Sequence, residues 1–258
     1  RRVRRIFPAL AVVTLACLGS GFLILFPLEY QKLGQSSVAL VLMSANVHFW
    51  RQIGYFDTDA ALKPLLHTWS LAVEEQFYVI FPLILVLLKR LSLGLRAVAV
   101  FAAASALFAL NIYGSYRHPS ANYYLLPTRA WEMLIGAFLA FDVIKAPSAR
   151  WVRESASGLA LAGIGLSTLL YNPATRFPGA AALLPCVSTF LLLWTNERDL
   201  TLVGRLLALR AVVFVGLISY SLYLWHWPIV SLAKYYALYA LNLPAGGALS
   251  PGVRLGGI

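Results

Sequence analysis

Glu74 and Glu75 stand in LKPLLHTWSLAVEEQFYVIFP, residues 62–82, roughly two turns into an apolar run long enough to cross a bilayer. An ionised carboxylate at that depth costs enough free energy that a functional reason for it is the default hypothesis. The bland alternative is a carboxylate near the interface that simply meets water. Adjacent helical residues point about 100° apart, so the two cannot face one pocket. Glu74 shares its face with Tyr78, and Pro82 lacks the amide that would bond the Tyr78 carbonyl. A carboxylate, a phenol and a released carbonyl would then line one side of a kinked helix. That favours Glu74 over Glu75 as part of a polar site inside the membrane.

A second cluster lies in ISYSLYLWHWPI, residues 218–229, where Ser219, Tyr223 and His226 fall at i, i+4 and i+7. This spacing stacks a hydroxyl, a phenol and an imidazole along one helical face, and Pro228 releases a carbonyl one turn back. An aromatic belt at headgroup depth, made by Tyr220, Trp225 and Trp227, explains the same segment equally well. His67, beside Thr68 and Trp69 at the mouth of a helix, is a similar case, whereas His48 and His118 read as interfacial or loop residues. The opening RRVRR sets Arg2 and Arg5 on one helical face, and Arg1 and Arg4 on another. Guanidinium groups near a helix N-terminus suit a phosphorylated cofactor, but a positive-inside anchor against anionic lipid is the reading that spacing alone favours. Arg129 and Glu132 share a face of TRAWEMLIG, where they would neutralise each other during insertion or orient a sugar hydroxyl.

The elements that must position these residues are membrane helices. Charged side chains make up 12% of the 258 residues and mean hydropathy is +0.75, against about 25% charged in a soluble domain. The net charge of +11 is distributed between apolar runs, not gathered on a solvated face, so it reads as topology and not as nucleic-acid binding. Cys17 and Cys186 lie inside apolar stretches, which indicates neither a disulfide framework nor a metal cluster. Uncharged or nearly uncharged runs at residues 6–28, 69–88, 95–112, 129–144, 157–171, 179–195 and 212–236 predict an all-α, polytopic transmembrane bundle of about seven spans. Residues 36–50, interrupted by Asn46 and His48, predict a re-entrant or partial helix. Placing RRVRR in the cytoplasm puts Lys89, Arg90, Arg96, Lys145, Arg150, Arg153, Arg198, Arg205 and Arg210 on the same side, as the positive-inside rule requires. Residues 113–127 then form an external loop, and the chain, which opens on Arg1 and not on Met, reads as a fragment.

Together these stretches resemble the acyltransferase 3 family of bacterial membrane O-acyltransferases, over nearly the whole chain. RRVRRIFPAL is similar to the family's arginine-rich helix entry, with Arg-x-x-Arg on Arg2 and Arg5. FWRQIGYFDTDAALKPLLHTWSLAVEEQFYVIFP resembles the subgroup that carries a periplasmic SGNH-type domain, its Trp-x-Leu-x-x-Glu core falling on Trp69, Leu71 and Glu74. LPTRAWEMLIGA resembles the Arg-x-x-Glu helix at Arg129 and Glu132, and ISYSLYLWHWP the terminal signature with Ser219, Tyr220, Tyr223 and His226. The resemblance implies one partial transmembrane domain over residues 1–258 in the bacterial inner membrane. It implies transfer of an acyl group, typically acetyl from cytoplasmic acetyl-CoA and without a metal, to a hydroxyl of a cell-surface glycan such as lipopolysaccharide O-antigen or peptidoglycan. Arg2 and Arg5 would take the coenzyme A phosphates, Glu74 and His226 the catalytic work, and Arg129, Glu132, Ser219, Tyr223 and Tyr78 an acceptor or structural polar site. The histidine the family regards as essential belongs to a helix upstream of Arg1, and none of His48, His67, His118 or His226 matches it. The fragment alone is therefore expected to be inactive. A secondary transporter or lipid-linked glycan flippase is the rival reading, since polar residues and kinked helices also mark substrate paths. Transporters commonly show internal repeats, and this chain has none.

Overall fold

The structure, a computed structural model, describes residues 2–53, 59–172 and 174–239, without the side chains of Arg2, Val3 and Arg5. Eleven α-helices and three short 3-10 turns account for its elements, and no strand occurs among the described residues. The chain divides into two compact units, one formed by residues 1–75 with 216–258 and the other by residues 76–215.

In the first unit, α1 (Arg2–Ile24) is followed by α2 (Pro27–Val41) and the short α3 (Ala45–Arg51). The apolar run at residues 6–28 does not continue as one span, because Phe26 is extended (φ −64°, ψ 156°) and Pro27 opens a new helix. Residues 36–50 likewise belong to a broken pair of helices. Met43, at φ 54°, takes the left-handed conformation that terminates α2. A turn at residues 60–67 leads into α4 (Thr68–Leu87), and the last helix, α11 (Arg210–Tyr239), contributes its residues from Gly216 onward. Hydrogen bonds fasten α11 along this unit. The Tyr220 hydroxyl donates to the Ile6 carbonyl (3.3 Å), Trp227 Nε1 donates to the Lys63 carbonyl (2.9 Å), and the Phe26 amide donates to the Tyr235 hydroxyl (3.1 Å).

The second unit holds the rest of α4, then α5 (Leu93–Arg117), α6 (Pro119–Tyr124), α7 (Leu126–Leu139), α8 (Arg150–Leu170), α9 (Leu183–Thr195), α10 (Leu202–Leu207) and the start of α11. Phe77, Val100, Ala130 and Leu134 form its apolar core, with Tyr78 and Phe81 packed against them. The loop expected at residues 113–127 is largely helical: α5 continues to Arg117 and α6 follows at once. Gly114 lets Asn122 approach the α5 backbone, and Gly163 does the same for Ser188 of α9, the close packing that small residues permit between membrane helices. At the other end of α8, Ser157 and Thr201 hydroxyls pair at 2.8 Å, and Asn196 Oδ1 accepts from the Thr201 amide at 2.8 Å.

Among the described residues, four helices are long and apolar enough to cross a membrane: Ile6–Ile24, Thr68–Arg90, Leu93–Arg117 and Arg210–Tyr239. At about 1.5 Å per residue, the 14 residues of α7 and 13 of α9 fall short of a roughly 30 Å hydrocarbon core.

Candidate active site

The first unit gathers its polar chemistry where the turn before α4 meets α11. The turn is held by amide bonds from Leu66 to the Lys63 carbonyl and from Thr68 to the Leu65 carbonyl, each 3.1 Å, so His67 has a fixed backbone. The Tyr223 hydroxyl donates to the His67 carbonyl at 2.7 Å. The Ser70 hydroxyl lies 2.5 Å from that of Tyr223 and 3.2 Å from the same His67 carbonyl, so two hydroxyl protons serve three mutually close oxygens. Three rings meet here: His67 lies 5.2 Å from Tyr223 and 5.7 Å from His226, both edge to face, and Tyr223 lies 5.4 Å from His226.

His226 is exposed, and its Nδ1 lies 2.5 Å from the Tyr223 carbonyl. A carbonyl only accepts, so Nδ1 carries a proton, which leaves Nε2 as the nitrogen able to accept. His67 is the buried member. Burial holds its imidazole well below the ordinary 6.5, at about 3, and the neighbouring His226 pushes the same way. The Leu224 carbonyl opposes this, being close to the ring without completing a hydrogen bond to either nitrogen. That carbonyl is the one released by Pro228.

The carboxylates separate as the helix geometry demands. Glu74 is exposed, while Glu75 is half-buried and lines a cavity of about 300 Å³ with Ile6, Leu10 and Thr14 of α1 and Leu40 and Met43 from the end of α2. Both lie within electrostatic reach of the Tyr220 hydroxyl. Residue spacing could not show this cavity, because the α1 and α2 walls come from elsewhere in the chain. Tyr78, assigned by spacing to the face of Glu74, packs in the apolar core of the second unit, its ring 6.1 Å from Phe77. Ser219 is exposed and donates to the Gly216 carbonyl of its own helix at 2.8 Å. The side chains of Arg2 and Arg5 lie outside the described residues.

In the second unit, Arg129 and Glu132 pair at 3.2 Å with side chains 14% and 23% exposed. The guanidinium sits over two rings, 5.7 Å from Tyr123 and 5.5 Å from Phe177, which offsets the cost of drawing it out of water. His48, read from the sequence as ordinary, belongs to a polar chain: it contacts Gln52 at 2.9 Å, and Gln52 accepts from Lys63 Nζ at 3.3 Å. Among the described residues no group of three metal-ligating side chains forms.

Known proteins are similar to this chain. A protein of Komagataeibacter xylinus provisionally named membrane-bound transacylase BcsY is 32% identical over 259 residues, covering 98% of this chain and 63% of that protein. A provisionally named O-acetyltransferase of Staphylococcus aureus strain COL is 29% identical over 257 residues, covering 92% of this chain and 41% of that protein. An uncharacterised Haemophilus influenzae protein is 29% identical over 215 residues, 77% of this chain and 86% of its own length. This chain thus spans less than two thirds of the first two relatives. No solved structure matches it. Residues 1–252 match the acyltransferase domain of the acyltransferase 3 family, so this chain belongs to that family.

Proposed function

We propose that the protein moves an acyl group, acetyl by preference, from cytoplasmic acyl-CoA to a hydroxyl of an extracytoplasmic glycan of the cell envelope. The observation that carries this reading is His226: an exposed imidazole whose Nδ1 is committed to a carbonyl, so that Nε2 is its accepting nitrogen, in a chain of acyltransferase descent. Transfer breaks the thioester C–S bond, forms an ester C–O bond and moves the hydroxyl proton to the departing thiolate. His226 Nε2 takes that proton as general base and returns it to the sulfur. Tyr223 fixes the turn that holds the site together.

Glu74, beside Tyr220, orients the imidazole that the family resemblance places upstream, and Glu75 becomes a second candidate through its cavity. Arg2 and Arg5 take the phosphates of coenzyme A on the side that the positive-inside rule makes cytoplasmic. Arg129 and Glu132 hold a sugar hydroxyl in the second unit. In this topology the 21-residue α8 joins the four long helices, and the shorter α7 and α9 complete seven crossings of the bacterial inner membrane where the bilayer thins around them.

The test is the full-length protein with Glu74→Gln, Glu75→Gln or His226→Ala, produced in cells, with alkali-labile acetyl esters of the envelope glycan measured. Loss of esters with normal membrane insertion is expected for Glu74→Gln and His226→Ala. Undiminished esters in both would remove these residues from the mechanism, and glycan movement across the membrane without ester formation would favour the flippase.

A further inference from the structure

A neutral imidazole donates at one ring nitrogen and accepts at the other. His67 does neither: it is 7% exposed, and among the described residues neither of its nitrogens completes a hydrogen bond. Buried polar atoms left without partners are costly and rare. A phenylalanine of similar size would make the same edge-to-face contacts with Tyr223 and His226 and leave no polar atom dry. Asn111, Asn122, Trp131 and Ser231 also bury polar atoms without partners among the described residues, but His67 is the one among them that packs against an exposed imidazole. Such departures concentrate at functional sites. The surroundings add to the argument. His67 touches the exposed His226, the Pro228-released Leu224 carbonyl faces it, and Ser70 and Tyr223 close the other side through the His67 carbonyl and each other.

Building on the acyltransferase reading, we propose that His67 is a second hydrogen-bonding residue of the acceptor site, its neutral imidazole holding one hydroxyl of a polyhydroxylated glycan while a neighbouring hydroxyl meets Nε2 of His226. A hydroxyl both donates and accepts, as does a neutral imidazole, whereas an imidazolium only donates. Burial keeps His67 neutral across the physiological range, at about 3. The two rings, 5.7 Å apart, are spaced for adjacent hydroxyl groups and not for one atom shared between them.

The experiment uses the full-length protein in native membranes, labelled acetyl-CoA as donor and chemically deacetylated envelope glycan of the producing cells as acceptor. His67→Phe keeps the packing and removes the nitrogens; His67→Gln restores a donor and an acceptor without a titrating group. Loss of one neutral hydrogen bond should raise the glycan KM of His67→Phe roughly tenfold. His67→Gln should recover most of that, and the melting temperature of His67→Phe should be no lower than that of the parent. A parental KM in His67→Phe would reduce His67 to packing. A lower melting temperature would contradict the claim that its nitrogens are unsatisfied. If the parent protein itself labels no glycan, the acyltransferase reading fails and this proposal with it; label that ignores His67→Phe sinks the proposal alone.

Discussion

Ser157, Asn196 and Thr201 in the second unit close their hydrogen bonds on one another, whereas His67 in the first keeps two buried nitrogens unmatched. Both clusters join a helix end to a neighbouring helix, and each has a buried member, Ser157 and Thr201 in one and His67 in the other. Asn196 donates to the Leu192 carbonyl at 2.8 Å and to Ser157 at 3.3 Å, and accepts from Thr201 through both amide and hydroxyl. Gly204 completes the set by donating its amide to Thr201. Such a network is architecture: every atom has a protein partner, which leaves no room for a ligand. The imidazole pair shows the reverse arrangement, with one ring buried and unpaired among the described residues and the other exposed. The difference separates a polar network closed on itself from a buried imidazole that packs against an exposed one.

The comparison can be broken most forcefully at His226. His226→Ala in the full-length protein should lower acyl transfer by about 10²–10⁴-fold, the ordinary contribution of a general base, with little change in melting temperature because the side chain is exposed. Parental turnover would show that the accepting nitrogen does no work. Next in size is Asn196→Ala, expected to destabilise the protein by about 2–4 kcal/mol by stranding the buried groups of Ser157 and Thr201. Its surviving folded fraction should turn over normally, and denaturation of the purified protein alongside a rate per folded molecule tests both halves. A stable Asn196→Ala with low turnover would reverse the assignment of the two clusters.

A smaller effect sharpens the first cluster. The folded His67 binds its proton at about 3 and the unfolded one at 6.5, so between these values the unfolded chain holds more protons. Stability present above pH 6.5 is therefore lost as pH falls, by about 2 kcal/mol at pH 5. Melting curves in detergent at pH 7 and pH 5 should show this loss, and His67→Phe should shrink it, leaving the part due to His48, whose imidazole burial and Lys63 also hold below 6.5. An equal slope in that variant would place the pH dependence elsewhere. Smallest of all is Ser219→Ala. Its hydroxyl is exposed and bonds only its own helix, so stability should move by no more than about 0.5 kcal/mol in the same melting assay.

Much of this was legible in the residues. The apolar runs announced helices, and the long ones at α4, α5 and α11 stand where hydropathy put them. Helix ends were less legible because they depend on local backbone conformations such as Phe26 and Met43, which hydropathy does not register. The i, i+4 and i+7 spacing placed Ser219, Tyr223 and His226 along one helical face; the structure joins Tyr223 and His226 to His67, a contact no spacing rule reaches, and leaves Ser219 bonded to its own helix. The same limit explains the carboxylates. Periodicity paired Glu74 with Tyr78, yet the cavity beside Glu75 depends on α1 and α2, and Tyr78 is drawn into an apolar core by Val100, Ala130 and Leu134. Arg129 and Glu132 paired as an i, i+3 spacing on a helix allows, while their ring partners Tyr123 and Phe177 came from flanking segments.

The most direct measurement of the central claim is sided transfer. Inside-out membrane vesicles carrying the full-length protein, with envelope glycan enclosed and labelled acetyl-CoA added outside, should accumulate alkali-labile label on the enclosed glycan, and vesicles carrying His226→Ala should not. Equal label in the two preparations, or none in either while the glycan itself crosses the membrane, would contradict the account.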